Sequence, residues 1–216
     1  MGIKDGNNLM KNVVIIDYGM GNLHSISSAI RKLGYNSKIS FSEDEILKSS
    51  HIILPGVGEF REAMNNLKLR SLDKLIIKIS KNSKTKILGI CLGMQLLCQS
   101  SEEGGQKTLG LGLIKTDVVK LQESDDYKLP HIGFNEVCFP KKSIFKNKDY
   151  LKKDFYFVHS FCLKDSIKDT NMSIGHTEYK NRFISFYKKD NLFATQFHPE
   201  KSQTNGLMFL KLFLEK

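Results

Sequence analysis

The chain has no tryptophan, no Cys-x-x-Cys pair and no long apolar run, and its excess of positive charge forms no block. Each shortage removes a class of protein. The cysteines stand at Cys91, Cys98, Cys138 and Cys162. That spacing offers neither the ligand pairs of a structural zinc site nor a disulfide framework. Reduced thiols and a cytoplasmic location are the resulting expectation. A membrane helix needs about 20 consecutive apolar residues, so none is expected. Met1 to Met10 is polar and rich in Gly and Asn, unlike the apolar stretch of a secretory signal. Gly6 stands where N-myristoylation needs Ser or Thr. Lys+Arg number 33 against 23 Asp+Glu, a net +10, but the lysines are scattered. Segments such as Lys141-Lys142 and Lys152-Lys153 read as solvated loop faces, so no nucleic-acid partner is expected. An acidic protein or a phosphorylated substrate nearby is the other reading of the excess. No internal repeat and no Pro/Ser-rich linker divides the 216 residues. The expectation is one domain over 12–216, preceded by a loose extension over 1–11.

Local patterns alternate between strand and helix. Val13 to Asp17 is a continuous apolar run that ends in Tyr18-Gly19-Met20-Gly21-Asn22, as buried parallel strands do. A helix is predicted over Leu23 to Leu33, stopped by Gly34, and a strand over Ser37 to Phe41. Ser42-Glu43-Asp44-Glu45 has the form of a capping box before a short helix. His51 to Leu54 is a third strand, closed by Pro55-Gly56-Val57-Gly58. Helices are predicted over Glu59 to Leu67, Ser71 to Ser80 and Met94 to Ser100, with Lys86 to Ile90 the strand before the last. The second half reads as strands over Lys115 to Leu121, Glu136 to Phe139, Asp154 to Val158, Met172 to His176, Phe183 to Lys188 and Leu192 to Gln196. A final helix covers Asn205 to Leu214. The pattern implies an α/β fold: a central, mostly parallel sheet with helices on both faces and a strand-rich C-terminal half.

Chemistry concentrates in Leu88-Gly89-Ile90-Cys91-Leu92-Gly93-Met94-Gln95. A cysteine between two glycines, after a strand and before a helix, is a nucleophile elbow with sulfur in place of oxygen. A helix N-terminus or a neighbouring imidazolium activates such a thiol. The N–H of Leu92 can donate to an oxyanion, and a second donor is expected from the Pro55–Gly58 loop, at Val57 or Gly58. Gln196-Phe197-His198-Pro199-Glu200 supplies a base, His198, and a carboxylate to orient it, Glu200. Taken singly, each piece has a plainer reading. Gly-x-Cys-x-Gly fits a buried structural cysteine. His-Pro-Glu fits a turn, and glycine-rich loops are often only turns. His198 and Glu200 could also bind metal, but no third ligand lies near in sequence, so no metal and no cofactor is expected. What joins the pieces is their occurrence in one α/β frame.

Together these stretches resemble the class I, triad-type glutamine amidotransferases, and most closely their branch of glutaminase subunits of imidazole glycerol phosphate synthases. The resemblance also rests on Asp17 to Asn22, Leu54 to Gly58, Ser101 to Gly104, Gly110 to Ile114, Pro130 to Asn135, Tyr156 to Ser160 and Gln196 to Ser202. The Pro-Gly-Val-Gly loop separates this branch from sister branches that carry Pro-Gly-Gly-Pro. The resemblance implies a single flavodoxin-like amidotransferase domain. It implies hydrolysis of L-glutamine to glutamate and ammonia through a thioester on Cys91, without a cofactor. Gly56, Gly58, Gln95, Glu103, Ser160 and Phe161 are implied to hold the substrate. The ammonia is implied to pass into a (β/α)8-barrel cyclase subunit, in a heterodimer that makes imidazole glycerol phosphate and AICAR for histidine biosynthesis. Asn22, Tyr156 and Lys201 are implied to couple the two subunits. Ordinary surface polarity is the plainer reading of those three.

Some positions depart from the family pattern. Phe134 stands where Trp is common, Lys115-Thr116-Asp117 replaces a Pro/Gly-containing turn, Lys180 follows Tyr179 where Gly is common, and Phe161-Cys162 replaces an aromatic pair. None touches the Cys91, His198 and Glu200 set. They admit a second expectation: a paralogue that feeds ammonia to a cyclase-like partner for amidination of a surface sugar. A third, of another class, is an inactive interaction subunit or an unrelated cysteine hydrolase.

Overall fold

The structure, a computed structural model, describes residues 11–82, 84–140, 152–167 and 171–216. The expected extension over 1–11 and the loop at Lys141-Lys142 lie outside them, apart from Lys11. Among the described residues no helix is long and apolar enough to cross a membrane.

Four strands open the sheet: β1 (Val13–Ile16), β2 (Ser37–Ser40), β3 (His51–Leu54) and β4 (Lys86–Ile90). They pair in parallel in the order β2-β1-β3-β4. Next to β4 lies a strand from the far end of the chain, β13 (Leu192–Thr195), also parallel. The connecting helices are α1 (Leu23–Lys32), α2 (Glu43–Leu47), α3 (Phe60–Leu69) and α4 (Leu72–Ser80). Successive strand side chains point to opposite faces, and the core divides accordingly. Val13 and Ile15 pack with Ile26, Ala29 and Ile30 of α1 and with Phe209 and Phe213 of α6 (Gln203–Leu214). Val14 and Ile16 pack with Phe60, Met64 and Leu67 of α3 and with Leu75, Ile76 and Ile79 of α4. Burial on both sides explains why these strands read as unbroken apolar runs.

Beyond β13 the sheet turns antiparallel through β12 (Asn181–Lys189) and β10 (Phe161–Leu163), then reaches β7 (Asp117–Lys120). Two short strands, β5 (Ser100–Ser101) and β6 (Thr108–Leu109), finish that edge. A separate hairpin joins β8 (His131–Cys138) and β9 (Lys152–His159) along their whole length, and β11 (Ser173–Tyr179) ties it to β12.

The structure corrects several local expectations. The helix after the elbow is α5 (Leu92–Leu96), one short segment that starts earlier and ends sooner than Met94 to Ser100. Its carbonyls are claimed by the loop that follows. Leu111 N–H donates to Leu96 O, and Leu113 and Ile114 N–H both donate to Leu97 O. The chain is thereby freed to form β5. The capping box also fails to form, since the Ser42 side chain makes no cap bond and the Glu45 carboxylate accepts from Lys38 Nζ at 2.9 Å. β8 starts five residues before the expected Glu136, because cross-strand pairing with β9 carries it through Gly133. β10 follows Ser160 directly and is too short to show a period.

Candidate active site

The elbow forms where β4 ends. Cys91 takes φ 53° and ψ −110°, a conformation that is costly for any residue with a side chain. The surrounding bonds hold it there. Its N–H donates to Thr195 O at 2.7 Å, extending the β4–β13 ladder by one residue, and its carbonyl accepts from Met94 and Gln95 N–H. Gly93 is required for close approach, because a Cβ there would collide with the carbonyl of Leu54. The β3 loop can therefore lie directly against the start of α5. Leu92 N–H opens this helix and has no carbonyl a turn earlier to bind.

The His198 ring is held from behind. Nδ1 lies 2.8 Å from Glu200 Oε1, both side chains being almost inaccessible, so the carboxylate fixes the tautomer with the proton on Nδ1. The backbone of His198 is pinned as well: its N–H donates to Tyr156 O and its carbonyl accepts from Ser202 Oγ at 2.6 Å. Nε2 faces Cys91. Burial by itself drives the imidazole toward its neutral form. The nearby Cys91 charge, with the hydrogen bond and charge of the Glu200 carboxylate, outweighs it and raises His198 to about 10.

A cavity of about 440 Å³ opens onto Cys91, while His198 and Glu200 lie buried outside its wall. Its walls include Val57, Gly58, Cys91, Leu92, Gln95, Glu103, Ser160, Phe161 and Lys201, so most of the residues expected to form the site converge there. Gly58 has φ +106°, a left-handed conformation natural only to glycine. Gln95 is buried, and its Nε2 donates to Phe161 O at 2.8 Å and to Gln196 Oε1 at 3.1 Å. Both N–H bonds are thus spent, and the Gln95 carbonyl oxygen remains to receive a cation. Glu103 Oε2 accepts from Phe60 N–H at the start of α3. Burial pushes its carboxyl up, the Phe60 amide pulls it down, and the Glu59 charge adds to the rise.

Three expected site residues sit elsewhere. Gly56 is buried against Tyr18 and Leu92 instead of facing the cavity, and the Tyr18 hydroxyl donates to Pro55 O at 2.8 Å. Asn22 caps α1, its Oδ1 accepting from Ser25 N–H at 3.3 Å. Tyr156 lies beside the cavity mouth, with Lys201 Nζ 5.7 Å from its ring centroid and the exposed Phe134 edge-on to it. Residue reasoning missed Pro130, Val158 and His159 in the wall. They arrive by the β8–β9 pairing, which no local motif announces.

A sulfur on a strained turn, an imidazole facing it and a carboxylate behind that imidazole define an α/β cysteine hydrolase. Residues 14–216 match the family described as Glutamine amidotransferase class-I. Imidazole glycerol phosphate synthase subunit HisH 1 of Parasynechococcus marenigrum is 45% identical over 208 residues, 95% of this chain and 98% of its own length. Subunit HisH 2 of Methanococcus maripaludis is 42% identical over 204 residues, 94% of this chain and 99% of its own. Among solved structures, PurLQS from Thermotoga maritima has a TM-score of 0.71 at 16% identity, covering 96% of this chain and 99% of that one. A GMP synthase protein from Thermoplasma acidophilum has a TM-score of 0.69 at 20% identity, covering 95% and 93%. These two likenesses concern the fold. The chain belongs to the class-I glutamine amidotransferases, and it is a glutamine-hydrolysing enzyme.

Proposed function

We propose that the chain is the glutaminase subunit of an imidazole glycerol phosphate synthase, working in histidine biosynthesis with Cys91 as nucleophile. The observation that carries the mechanism is the facing of Cys91 and His198 beside a cavity walled by Gln95 and Glu103. The relatives that match nearly end to end carry the name of that synthase, which speaks against the sugar-amidating alternative.

The cavity walls suit a zwitterionic amino acid. The free oxygen of Gln95 and the half-buried Glu103 carboxylate meet the α-ammonium group, and backbone groups at Ser160 and Phe161 hold the same end. The side-chain amide then reaches Cys91. Thiolate attack on the amide carbon forms the C–S bond and puts negative charge on oxygen, which the Leu92 N–H stabilises with Val57 or Gly58. His198 delivers its proton to the departing nitrogen, and ammonia leaves a γ-glutamyl thioester. Water, deprotonated by His198, attacks the thioester. Glutamate leaves and the thiolate returns.

Ammonia protonated by bulk water is no nucleophile, so its use requires a direct passage. The partner proposed is a (β/α)8-barrel cyclase subunit docked over the Tyr156–Lys201 side of the cavity, with Asn22 nearby. The pair works in the cytoplasm, and residues 12–216 act as one domain. The test is a Cys91→Ala chain mixed with the cyclase subunit. Retained binding with no glutamate release supports the assignment, whereas undiminished release overturns it.

A further inference from the structure

Gln196 is fully buried next to the nucleophile, a position that simple packing would fill with an apolar residue. Its two polar atoms are both engaged. Oε1 accepts from Gln95 Nε2, and Nε2 lies 3.6 Å from Cys91 Sγ. We infer that Gln196 is a further catalytic residue that donates a hydrogen bond to the Cys91 thiolate, and that the Phe161 carbonyl, acting through Gln95, fixes which end of its amide faces the sulfur. This rests on the assignment of Cys91 as nucleophile.

The direction of these bonds follows from one atom that can only accept, the carbonyl oxygen of Phe161. It lies 2.8 Å from Gln95 Nε2 and 2.8 Å from His159 Nδ1, so both nitrogens carry hydrogen. With Gln95 so oriented, its second N–H meets Gln196, which must present oxygen in return. The Gln196 amide nitrogen is then the end left for Cys91. On the other side, His159 donates from Nδ1, so its Nε2 must accept, and His131 Nδ1 donates to it at 3.1 Å. His131 Nε2 accepts in its turn from Asn135 Nδ2 at 3.3 Å, and Asn135 spends its other N–H on Glu178 O at 2.9 Å. Burial lowers His131 to about 4 and His159 to about 3, so both rings are neutral at physiological pH and the directions stay fixed. The His131 ring is clamped between Tyr179, at 4.0 Å, and Phe157, at 4.9 Å.

The thiolate needs such a donor. The Val158 carbonyl also faces Sγ, at 3.9 Å, and it suits a thiol but opposes a negative sulfur. His198 Nε2 completes no hydrogen bond to the sulfur, and its proton goes to the leaving ammonia. Gln196 cannot be deprotonated, so its bond persists through both halves of the reaction. Hydrogen bonds to charged groups are among the stronger ones in proteins, and losing one here corresponds to about a ten- to hundredfold loss of reactive thiolate.

The test is alkylation of Cys91 by iodoacetamide across pH, on the full chain and on its complex with the partner subunit. Wild type is expected to label with parallel loss of glutaminase activity, and Cys91→Ala not to lose activity on treatment because it has none. Activity in Cys91→Ala would defeat the nucleophile assignment itself. Gln196→Met is expected to alkylate about ten- to hundredfold more slowly at neutral pH, with its pH profile displaced upward and kcat reduced alike. Gln196→Glu keeps the shape and the acceptor toward Gln95, and serves if the methionine variant does not fold. Gln95→Met, a positioning variant that removes the donor to Gln196 Oε1, is expected to displace the same alkylation profile by a smaller step. A wild-type rate and profile in a folded Gln196 variant would overturn the donor role. An unmoved profile in Gln95→Met would overturn the ordering of the amide through Gln95.

Discussion

The two halves of the sheet do different work. The parallel half, from β2 to β13, is covered on both faces and carries the thiol and the base at the ends of neighbouring strands. The antiparallel half carries the hairpin β8–β9, one side of which is open, with Ile132 60% and Phe134 52% exposed. The first half gives strain a place to be stored, because Cys91 is held by a ladder bond on one side and by Gly93 on the other. The second half supplies walls that no single segment encodes, such as His159 and Val158. Cys91 and His198 thus stand on the part buried on both faces, and the wall residues Val158, His159, Ser160 and Phe161 come from the half with an open side.

This contrast can be broken or sharpened by measurement. The largest effect is expected at Cys91→Ala, which should lower glutamine hydrolysis by a factor on the order of 10⁴ or more and leave the thermal midpoint near wild type. A drop in stability instead would make the sulfur a packing group. The next effect is acid sensitivity, and it includes the hairpin. Burial, reinforced for His51 by the Lys11 charge, lowers His51 and His131 to about 4, and burial lowers His159 to about 3. The unfolded chain binds protons first as pH falls below about 6.5, so stability is whole above that pH and drains away toward pH 4, by up to about 1.4 kcal/mol per pH unit for each ring. His198 acts at the other end. Raised to about 10, it stabilises below about 6.5 and loses that contribution as pH rises through 10. Denaturant titrations at pH 4.5, 5.5 and 6.5 would show the first slope, and a flat series would contradict it.

Smaller again is Gly93→Ala. A methyl group driven at the Leu54 carbonyl should cost about 1–3 kcal/mol and misplace the oxyanion donors, visible as a lower midpoint together with lost activity. The smallest stability change belongs to the hairpin surface. Phe134→Ala should alter stability by less than about 0.5 kcal/mol while weakening association with the partner in a titration. Equal affinity would remove Phe134 from the docking surface.

The legible parts of the sequence were those set by near neighbours. Gly89, Cys91 and Gly93 alternate along a single turn, and His198 and Glu200 flank one proline, so spacing alone announces them. The strands β1, β3 and β4 announce themselves because burial on both faces demands unbroken apolar runs. What stayed hidden depends on partners far along the chain. The end of α5 is decided by amides of 111–114, and the start of β8 by β9. The His131–His159 contact exists because the hairpin register places those two residues opposite each other. The Ser42 capping box looked complete locally and lost Glu45 to Lys38 on the neighbouring strand.

The insertion of β13 between β4 and β12 joins distant parts of the chain at one edge of the site. Cys91 follows β4 and His198 follows β13, 107 residues further along the chain, and the pairing of those two strands brings them together. The meeting of Cys91 and His198 therefore depends on β13 lying beside β4, the joint between the two halves of the sheet.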